Sequence, residues 1–351
     1  IITRASKSLC IAGTHGKTTT STMLAHLMNS SKVGCTAFLG GISKNYHTNL
    51  ILSASSPYTV IEADEFDRSF HHLTPYMTAI TSVDADHLDI YGSEENYIES
   101  FNKYTSLIDN NGVLLIRKGI NISPRVKNEV RIFTYSKDKG DFHADNIRIG
   151  NGEIIIDFVM PNGRINDIQL GVPVSINIEN GVAAMALAHL NGASDEEIKE
   201  GMKTFRGVDR RFDFKIKNNR YVLLTDYAHH PEEIKQSVKS MKELYQNRKI
   251  TGIFQPHLYS RTKDFYKDFA DSLSLLDEVI LVEIYPAREL PIEGVSSKLI
   301  YDNIKEGTKK TLCKKDELVD ILNKKDIDVL MILGAGDIEK YAEKIAKTLE
   351  G

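Results

Sequence analysis

Cysteine is scarce in this sequence. Cys10, Cys35 and Cys313 lie far apart with no C-x-x-C spacing, which excludes a disulfide framework and a zinc knuckle and fits a reducing, cytoplasmic setting. Long apolar runs are also missing. No stretch approaches the roughly 18 residues a membrane span requires. Neither sign of charge dominates: Lys plus Arg number 44 and Asp plus Glu 48, for a net charge of −4. A general affinity for nucleic acid or anionic membrane is thereby excluded. The sequence holds no G-x-S-x-G elbow, no H-E-x-x-H and no G-x-G-x-x-G fingerprint. Nothing points to a covalent nucleophile. No internal repeat or low-complexity tract is present.

What remains is ordinary globular chemistry. Hydrophobic residues make up 41% of the 351 and charged residues 26%. At roughly 150 residues per domain, the length predicts about two domains, each able to bury its own core. The chain begins at Ile1 rather than Met, has no signal-peptide pattern, and enters a strand-like run at Ser8. It reads as a cut inside a longer protein.

Short apolar runs alternate with amphipathic stretches. Strands are expected at 9–12, 58–61, 77–83 and 112–116, and helices at 18–28 and 93–108. The second helix carries Tyr97, Phe101, Tyr104 and Ile108 on one face. This is the rhythm of a mostly parallel sheet. Between 141 and 174 it gives way to short strands separated by Asn151-Gly152 and Asn162-Gly163, which predict antiparallel additions. Helices resume at 177–190 and 194–205, the latter opened by a Ser194-x-x-Glu197 capping box. The expected boundary lies near Arg206-Gly207-Val208, giving a central domain over 1–207 and a second over 208–351. The second begins with a hairpin, 212–216 and 221–225, and continues in αβ units. The expected fold class is therefore α/β: a P-loop domain with a mostly parallel sheet and antiparallel additions, then a smaller doubly wound, Rossmann-like domain.

The sharpest motif is Gly13-Thr14-His15-Gly16-Lys17-Thr18-Thr19-Thr20, set between a strand and a helix. Glycines let backbone N–H groups turn toward phosphate oxygens, Lys17 can reach the β and γ phosphates, and Thr18 can place a hydroxyl on Mg²⁺. The pattern is the shorter G-x-x-G-K-T form, since Ile11 stands where the full motif has glycine. Two carboxylate-rich strand ends follow. Glu62, Asp64, Glu65 and Asp67 can serve a divalent cation, as can His87 flanked by Asp84, Asp86 and Asp89. Asn177 and Asn180 suit either an adenine edge or helix capping. Arg210-Arg211 suits a phosphate or a solvated junction. His71-His72 reads as surface. In the second domain, polar clusters follow three apolar runs: Asp226-Tyr227-Ala228-His229-His230-Pro231, Gln255-Pro256-His257-Leu258-Tyr259-Ser260-Arg261 and Gly334-Ala335-Gly336-Asp337. Strand carboxyl ends are the ligand edge of an open sheet, so the three predict a shared pocket.

Taken in order, GTHGKTTT, EADEFDRSF, TSVDADHLDIYG, DYAHHPEEI, FQPHLYSRT and GAGDI resemble the Mur ligase family of peptidoglycan synthesis, over essentially the whole of 13–337. The resemblance implies ATP-dependent formation of an acyl phosphate on a substrate carboxylate, then attack by an amino-acid amine. It is strongest to the alanine-adding branch, whose substrates are UDP-N-acetylmuramate and L-alanine. It implies that Gly13, Thr14, His15, Gly16, Lys17, Thr18 and Thr19 hold the ATP phosphates. Thr18 and Glu62 look like ligands of the first and second Mg²⁺, with His87 the histidine ligand of the second. Asn177 and Asn180 resemble the adenine-contacting pair. Arg211, with Arg210 beside it, and Asp226 would meet the nucleotide. His229, His230, His257 and Arg261 would line the cleft for amino acid and acyl phosphate.

Departures from the family pattern are Ile176 in place of a histidine, Leu258 in place of an arginine, and Phe101 near the carbamylated lysine of other branches. The family's first domain, which grips UDP, would precede Ile1. Three other readings compete: a ligase that recycles a ready-made tripeptide onto the same sugar nucleotide, a P-loop switch without ligase chemistry, and an ATP-binding fragment without turnover.

Overall fold

A computed structural model describes residues 2–84 and 88–350. The chain divides into two compact units, Ile1–Ile149 with Glu153–Asp209, and Gly150–Gly152 with Arg210–Gly351. No helix among the described residues is long and apolar enough to cross a membrane.

The first unit is built on a ten-stranded sheet. At its centre, Lys7–Ala12 lies between Tyr58–Ala63 and Met77–Ile80, all parallel. Val113–Arg117, Arg131–Ser136 and Phe142–Gly150 extend the parallel run on the Met77–Ile80 side. Leu9, Cys10, Ile11 and Ala12 are all fully buried, as a strand covered on both faces requires. The antiparallel additions sit at the two edges. Glu153–Met160 pairs with Gly163–Gln169 at one, and Thr36–Ser43 pairs with Thr48–Ile51 at the other. The latter pair and Arg131–Ser136 are strands the hydrophobic pattern did not predict. Asn151 and Gly152 both take positive φ, 53° and 75°, the conformation their turn needs.

Helix Lys17–Asn29 is buried almost all round, because it packs on the central strands and beneath helices Ile176–Leu190 and Asp195–Thr204. Helix Glu94–Thr105 instead buries one face. Its Tyr97, Phe101 and Tyr104 are fully buried, and Phe70 stacks on Tyr104 at 4.7 Å and meets Phe101 edge-on at 5.1 Å. His71 corrects the surface expectation. It is half-buried, stacked on Phe70, with Nε2 2.9 Å from the Ser100 carbonyl.

His26, near the end of Lys17–Asn29, is 5% exposed. Its ring nitrogens meet Tyr46 Oη and Thr204 Oγ1, each at 3.1 Å. Burial lowers its pKa from 6.5 to about 4. A histidine whose folded pKa lies below its unfolded value stabilises fully above pH 6.5, and that contribution fades as pH falls toward 4. We expect thermal stability to drop over this window by up to about 1.4 kcal/mol per pH unit. The drop should be shallower in His26→Asn, as read by melting curves at fixed ionic strength.

The second unit carries a six-stranded sheet ordered Asp213–Lys217, Val222–Asp226, Val329–Leu333, Ile250–Phe254, Glu278–Leu281 and Lys309–Leu312. All neighbours are parallel except the first pair, the antiparallel hairpin. This is a doubly wound sheet with one reversed edge strand. The three strands that end in polar clusters are direct neighbours, so their carboxyl ends share one edge.

Candidate nucleotide and substrate sites

In the first unit, the P-loop leaves the carboxyl end of the central strand. Gly13 adopts φ 133°, and a Cβ there would stand 2.2 Å from Thr81 Oγ1 and 2.8 Å from Ser82 N. The loop is pinned to the segment after Met77–Ile80: Thr14 N donates to Ser82 O (3.3 Å), His15 N to Ser82 Oγ (2.8 Å), and Thr81 Oγ1 to His15 O (2.5 Å). Thr14 Oγ1 reaches Asp84 O at 2.7 Å and Tyr97 Oη at 2.9 Å. Gly16 is left-handed at φ 82° and caps helix Lys17–Asn29, whose first-turn N–H groups an anion can use. His15 is exposed, Thr19 half-buried and Thr18 buried.

Lys17 Nζ donates to Gly13 O at 2.7 Å and to Glu65 Oε1 at 3.0 Å, and lies 2.8 Å from Glu65 Oε2. The acidic run therefore splits by role. Glu62 Oε1 accepts from Thr18 Oγ1 at 3.0 Å, and its Oε2 accepts from Gly40 N at 3.1 Å. Glu65 takes the lysine. The Thr18 hydroxyl and Glu62 carboxylate are adjoining hard oxygen donors, the type a Mg²⁺ ion prefers. His87 lies outside the described residues, and among the described residues no group of three His, Cys, Asp or Glu forms a metal cluster.

Asn177 and Asn180 do not cap their helix. Both are buried within it: Asn177 Nδ2 donates to Val172 O at 3.2 Å, and Asn180 Nδ2 to Asn177 Oδ1 at 3.2 Å. Asn180 Oδ1 lies so close to Gly16 that a Cβ on Gly16 would meet it at 2.9 Å. The pair thus belongs to the P-loop's surroundings. Ile176, just before it, is 52% exposed.

In the second unit, Asp226 ends its strand and accepts a hydrogen bond from Ser237 Oγ. Desolvation holds its carboxyl above the usual range, against hydrogen bonds from Ser237 and the Phe212 backbone. Arg210 is held by an ion pair to Glu339, by a 3.2 Å bond to Gly336 O, and over the Tyr227 ring at 5.0 Å. Arg211 is exposed.

His229 Nδ1 faces two acceptors, Tyr227 O at 3.0 Å and Glu233 Oε2 at 3.4 Å. Its proton therefore belongs on Nδ1, leaving Nε2 with a lone pair. Burial lowers its pKa, partly opposed by Glu233. His229 meets His257 edge-on at 6.0 Å, and His257 stacks on Tyr285 at 5.7 Å. Burial lowers the His257 pKa too, helped by His229 and Arg261. His230, exposed, precedes helix Pro231–Leu244 and rests against Phe265 at 5.2 Å. Arg261 sits in the first turn of helix Tyr259–Leu273.

Leu258 holds φ 71°, ψ 139°, a conformation costing a side-chain-bearing residue about 1–3 kcal/mol. Its N–H donates to Tyr285 O at 3.0 Å. Beneath this edge, fully buried Gln255 ties two motifs together: Nε2 donates to Asp337 Oδ1 (2.8 Å), and Oε1 accepts from Ile338 N (3.0 Å). Lys315 Nζ pairs with Asp337 at 2.7 Å. Sequence reasoning gave no role to Tyr285 or Lys315. It read Glu65 only as one of four candidate cation ligands and Tyr97 only as part of a buried helix face, whereas the structure sets Glu65 on Lys17 and Tyr97 on Thr14.

Comparisons with known proteins agree in both units. The family described as "Mur ligase middle domain" matches residues 11–188, and "Mur ligase, glutamate ligase domain" matches 210–336. The UDP-N-acetylmuramate–L-alanine ligase of Phocaeicola vulgatus is 68% identical over 349 residues, 99% of this chain and 76% of that protein. The ligase of the same name from Parabacteroides distasonis is 60% identical, covering 99% and 75%. Among solved structures, the UDP-N-acetylmuramate-alanine ligase of Thermotoga maritima superposes with a TM-score of 0.82 at 28% identity, over 98% of this chain and 76% of that one. A MurF ligase from the same organism, solved in complex with ADP, shares the fold at 18% identity and a TM-score of 0.72, covering 99% and 81%.

Proposed function

This chain belongs to the Mur ligase family, and on that premise we propose that it joins L-alanine to the lactyl carboxylate of UDP-N-acetylmuramate at the expense of ATP, a step of peptidoglycan precursor synthesis. The observation that carries the reading is the near-complete, high-identity match to relatives of that one activity. Those relatives bear the alanine-adding name, which favours this reading over tripeptide recycling.

The reaction needs no protein nucleophile. A lactyl carboxylate oxygen attacks the γ-phosphorus and ADP leaves. The alanine amine then attacks the acyl carbon, and phosphate departs from the tetrahedral intermediate as the amide forms. Charge moves between oxygens, so fixed cations and backbone donors are the main tools. We assign the phosphate-holding role to the loop 13–19, with Lys17 stabilising the transferring group. Asn177 and Asn180 are assigned to the adenine. The Thr18 hydroxyl and the Glu62 carboxylate would hold Mg²⁺, and His87 is proposed to join them. The ion would supply charge neutralisation on the phosphates.

In the second unit, His229 Nε2 is an available proton acceptor for the alanine ammonium, which must lose a proton before it attacks. His257, Arg261 and the exposed Arg211 are assigned to the anionic groups of acyl phosphate, amino acid and nucleotide. Asp226, Arg210 and His230 frame the same edge. On this reading residues 1–207 form the ATP-binding part and 208–351 the amino-acid-binding part. The setting would be cytoplasmic, where ATP is abundant.

An isotope experiment tests the chemistry. With ¹⁸O in the lactyl carboxylate, one labelled oxygen should appear in the released phosphate. Unlabelled phosphate accompanying amide formation would rule out the acyl-phosphate route.

A further inference from the structure

We propose that Glu65 is the positioning residue of the phosphate lysine, holding Lys17 before nucleotide binds and aiming it afterwards. The inference rests on the ligase reading and deepens it.

The geometry is specific. The Glu65 side chain is 2% exposed and that of Lys17 13%. An ammonium has three N–H donors. Around this one stand Glu65 Oε1, Glu65 Oε2 and Gly13 O, all within 3.0 Å. Glu65 Oε2 is buried and has no other partner among the described residues. The lysine is thus spent on its own site, and a phosphate must take it over from a carboxylate that stays nearby.

Glu65 is itself braced against the loop it serves. Its carbonyl accepts from Tyr91 Oη at 2.5 Å and from Arg68 N at 2.9 Å. Tyr91 meets Tyr97 edge-on at 4.8 Å, and Tyr97 Oη lies 2.9 Å from Thr14 Oγ1 in the P-loop. One aromatic pair therefore ties the Glu65 backbone to the loop. Just past Phe66, Asp67 and Arg68 hold left-handed φ of 50° and 56°, a conformation that persists only where the surroundings enforce it. The Arg68 guanidinium lies over the Tyr91 ring at 4.6 Å, which supplies part of that enforcement. A buried Lys–Glu pair that sets a lysine on transferring phosphates is a known device of phosphoryl transfer. Here it is built from the strand end Glu62–Asp67 rather than from a mobile helix.

The test is Glu65→Gln, which keeps the shape and removes the charge. Loss of the competing carboxylate should tighten ADP binding about 3- to 10-fold, measured by calorimetry. Loss of aim should lower kcat of the complete enzyme about 10- to 100-fold at saturating substrates. Glu65→Asp, which restores the charge, should return ADP affinity toward the wild-type value. Unchanged ADP affinity and kcat would overturn the proposal. So would a joint loss of ADP binding, kcat and melting temperature, the mark of a merely structural prop. If the wild-type enzyme showed no L-alanine-dependent turnover, the ligase reading would fail while the ADP arm still judged the Lys17–Glu65 pair.

Discussion

Replacing Lys17 by Met should lower turnover by on the order of 10³-fold or more, the scale of removing a cation from a transferring phosphoryl group. The same change should also destabilise the protein. The motif alone assigns Lys17 to the phosphates and gives no reason for its removal to harm the fold. The structure places that lysine on a carboxylate that is 2% exposed, so its removal strands a buried charge. Breaking such a pair costs about 3–5 kcal/mol, whereas replacing both partners is far milder. The double variant Lys17→Met/Glu65→Gln should therefore recover most of the lost melting temperature and none of the activity. This non-additivity is the readout, since the two side chains are in direct contact. Equal melting temperatures for wild type and Lys17→Met would mean the pair is not buried as described.

Gly13→Ala is the second large effect. The new Cβ would fall 2.2 Å from Thr81 Oγ1 and 2.9 Å from Ser82 O, at a φ of 133° that L-residues rarely adopt. Thr81 cannot simply turn aside. Its hydroxyl bridges Ala12 O at 3.1 Å and His15 O at 2.5 Å, and it is those bonds that hold the loop. The loop must shift, which turns its N–H groups away from where phosphates bind. ADP affinity should fall at least about 100-fold, equivalent to about 2.7 kcal/mol. The melting temperature should fall by about 5–10 °C, from a strain and hydrogen-bond loss of 2–3 kcal/mol. Wild-type ADP affinity in Gly13→Ala would show that the loop does not work through its backbone.

Much of the fold was legible because its strands are continuous apolar runs ended by turn residues. Lys7–Ala12, Ile250–Phe254 and Val329–Leu333 are buried on both faces, and their composition says so. The Tyr97, Phe101 and Tyr104 face was legible for the same reason, as three large rings at helical spacing. The strands that escaped have no such signature. Thr36–Ser43 carries Gly40 and Gly41 in its interior, and Lys309–Leu312 is a polar edge strand.

The site divides along the same line. Local motifs with a fixed strand–turn–helix setting, such as 13–18, announce themselves. Contacts between distant segments do not. The sequence separates Lys17 from Glu65 by 48 positions, and Gln255 from Asp337 by 82. Only the parallel order of the sheets brings them together, so their pairing became visible with the fold. Asn177 and Asn180 show the ambiguity from the other side. Their place near a helix start invited a capping role, and burial beside Gly16 removed it.

Phosphate release shows whether this chain serves an L-alanine-specific ligase. The complete protein is incubated with ATP, Mg²⁺ and UDP-N-acetylmuramate, and single amino acids are added in turn. Phosphate should be released stoichiometrically with a new amide, fastest with L-alanine and at background level without an amino acid. Release that is indifferent to L-alanine, or that requires a preformed tripeptide, would exclude an alanine-adding ligase.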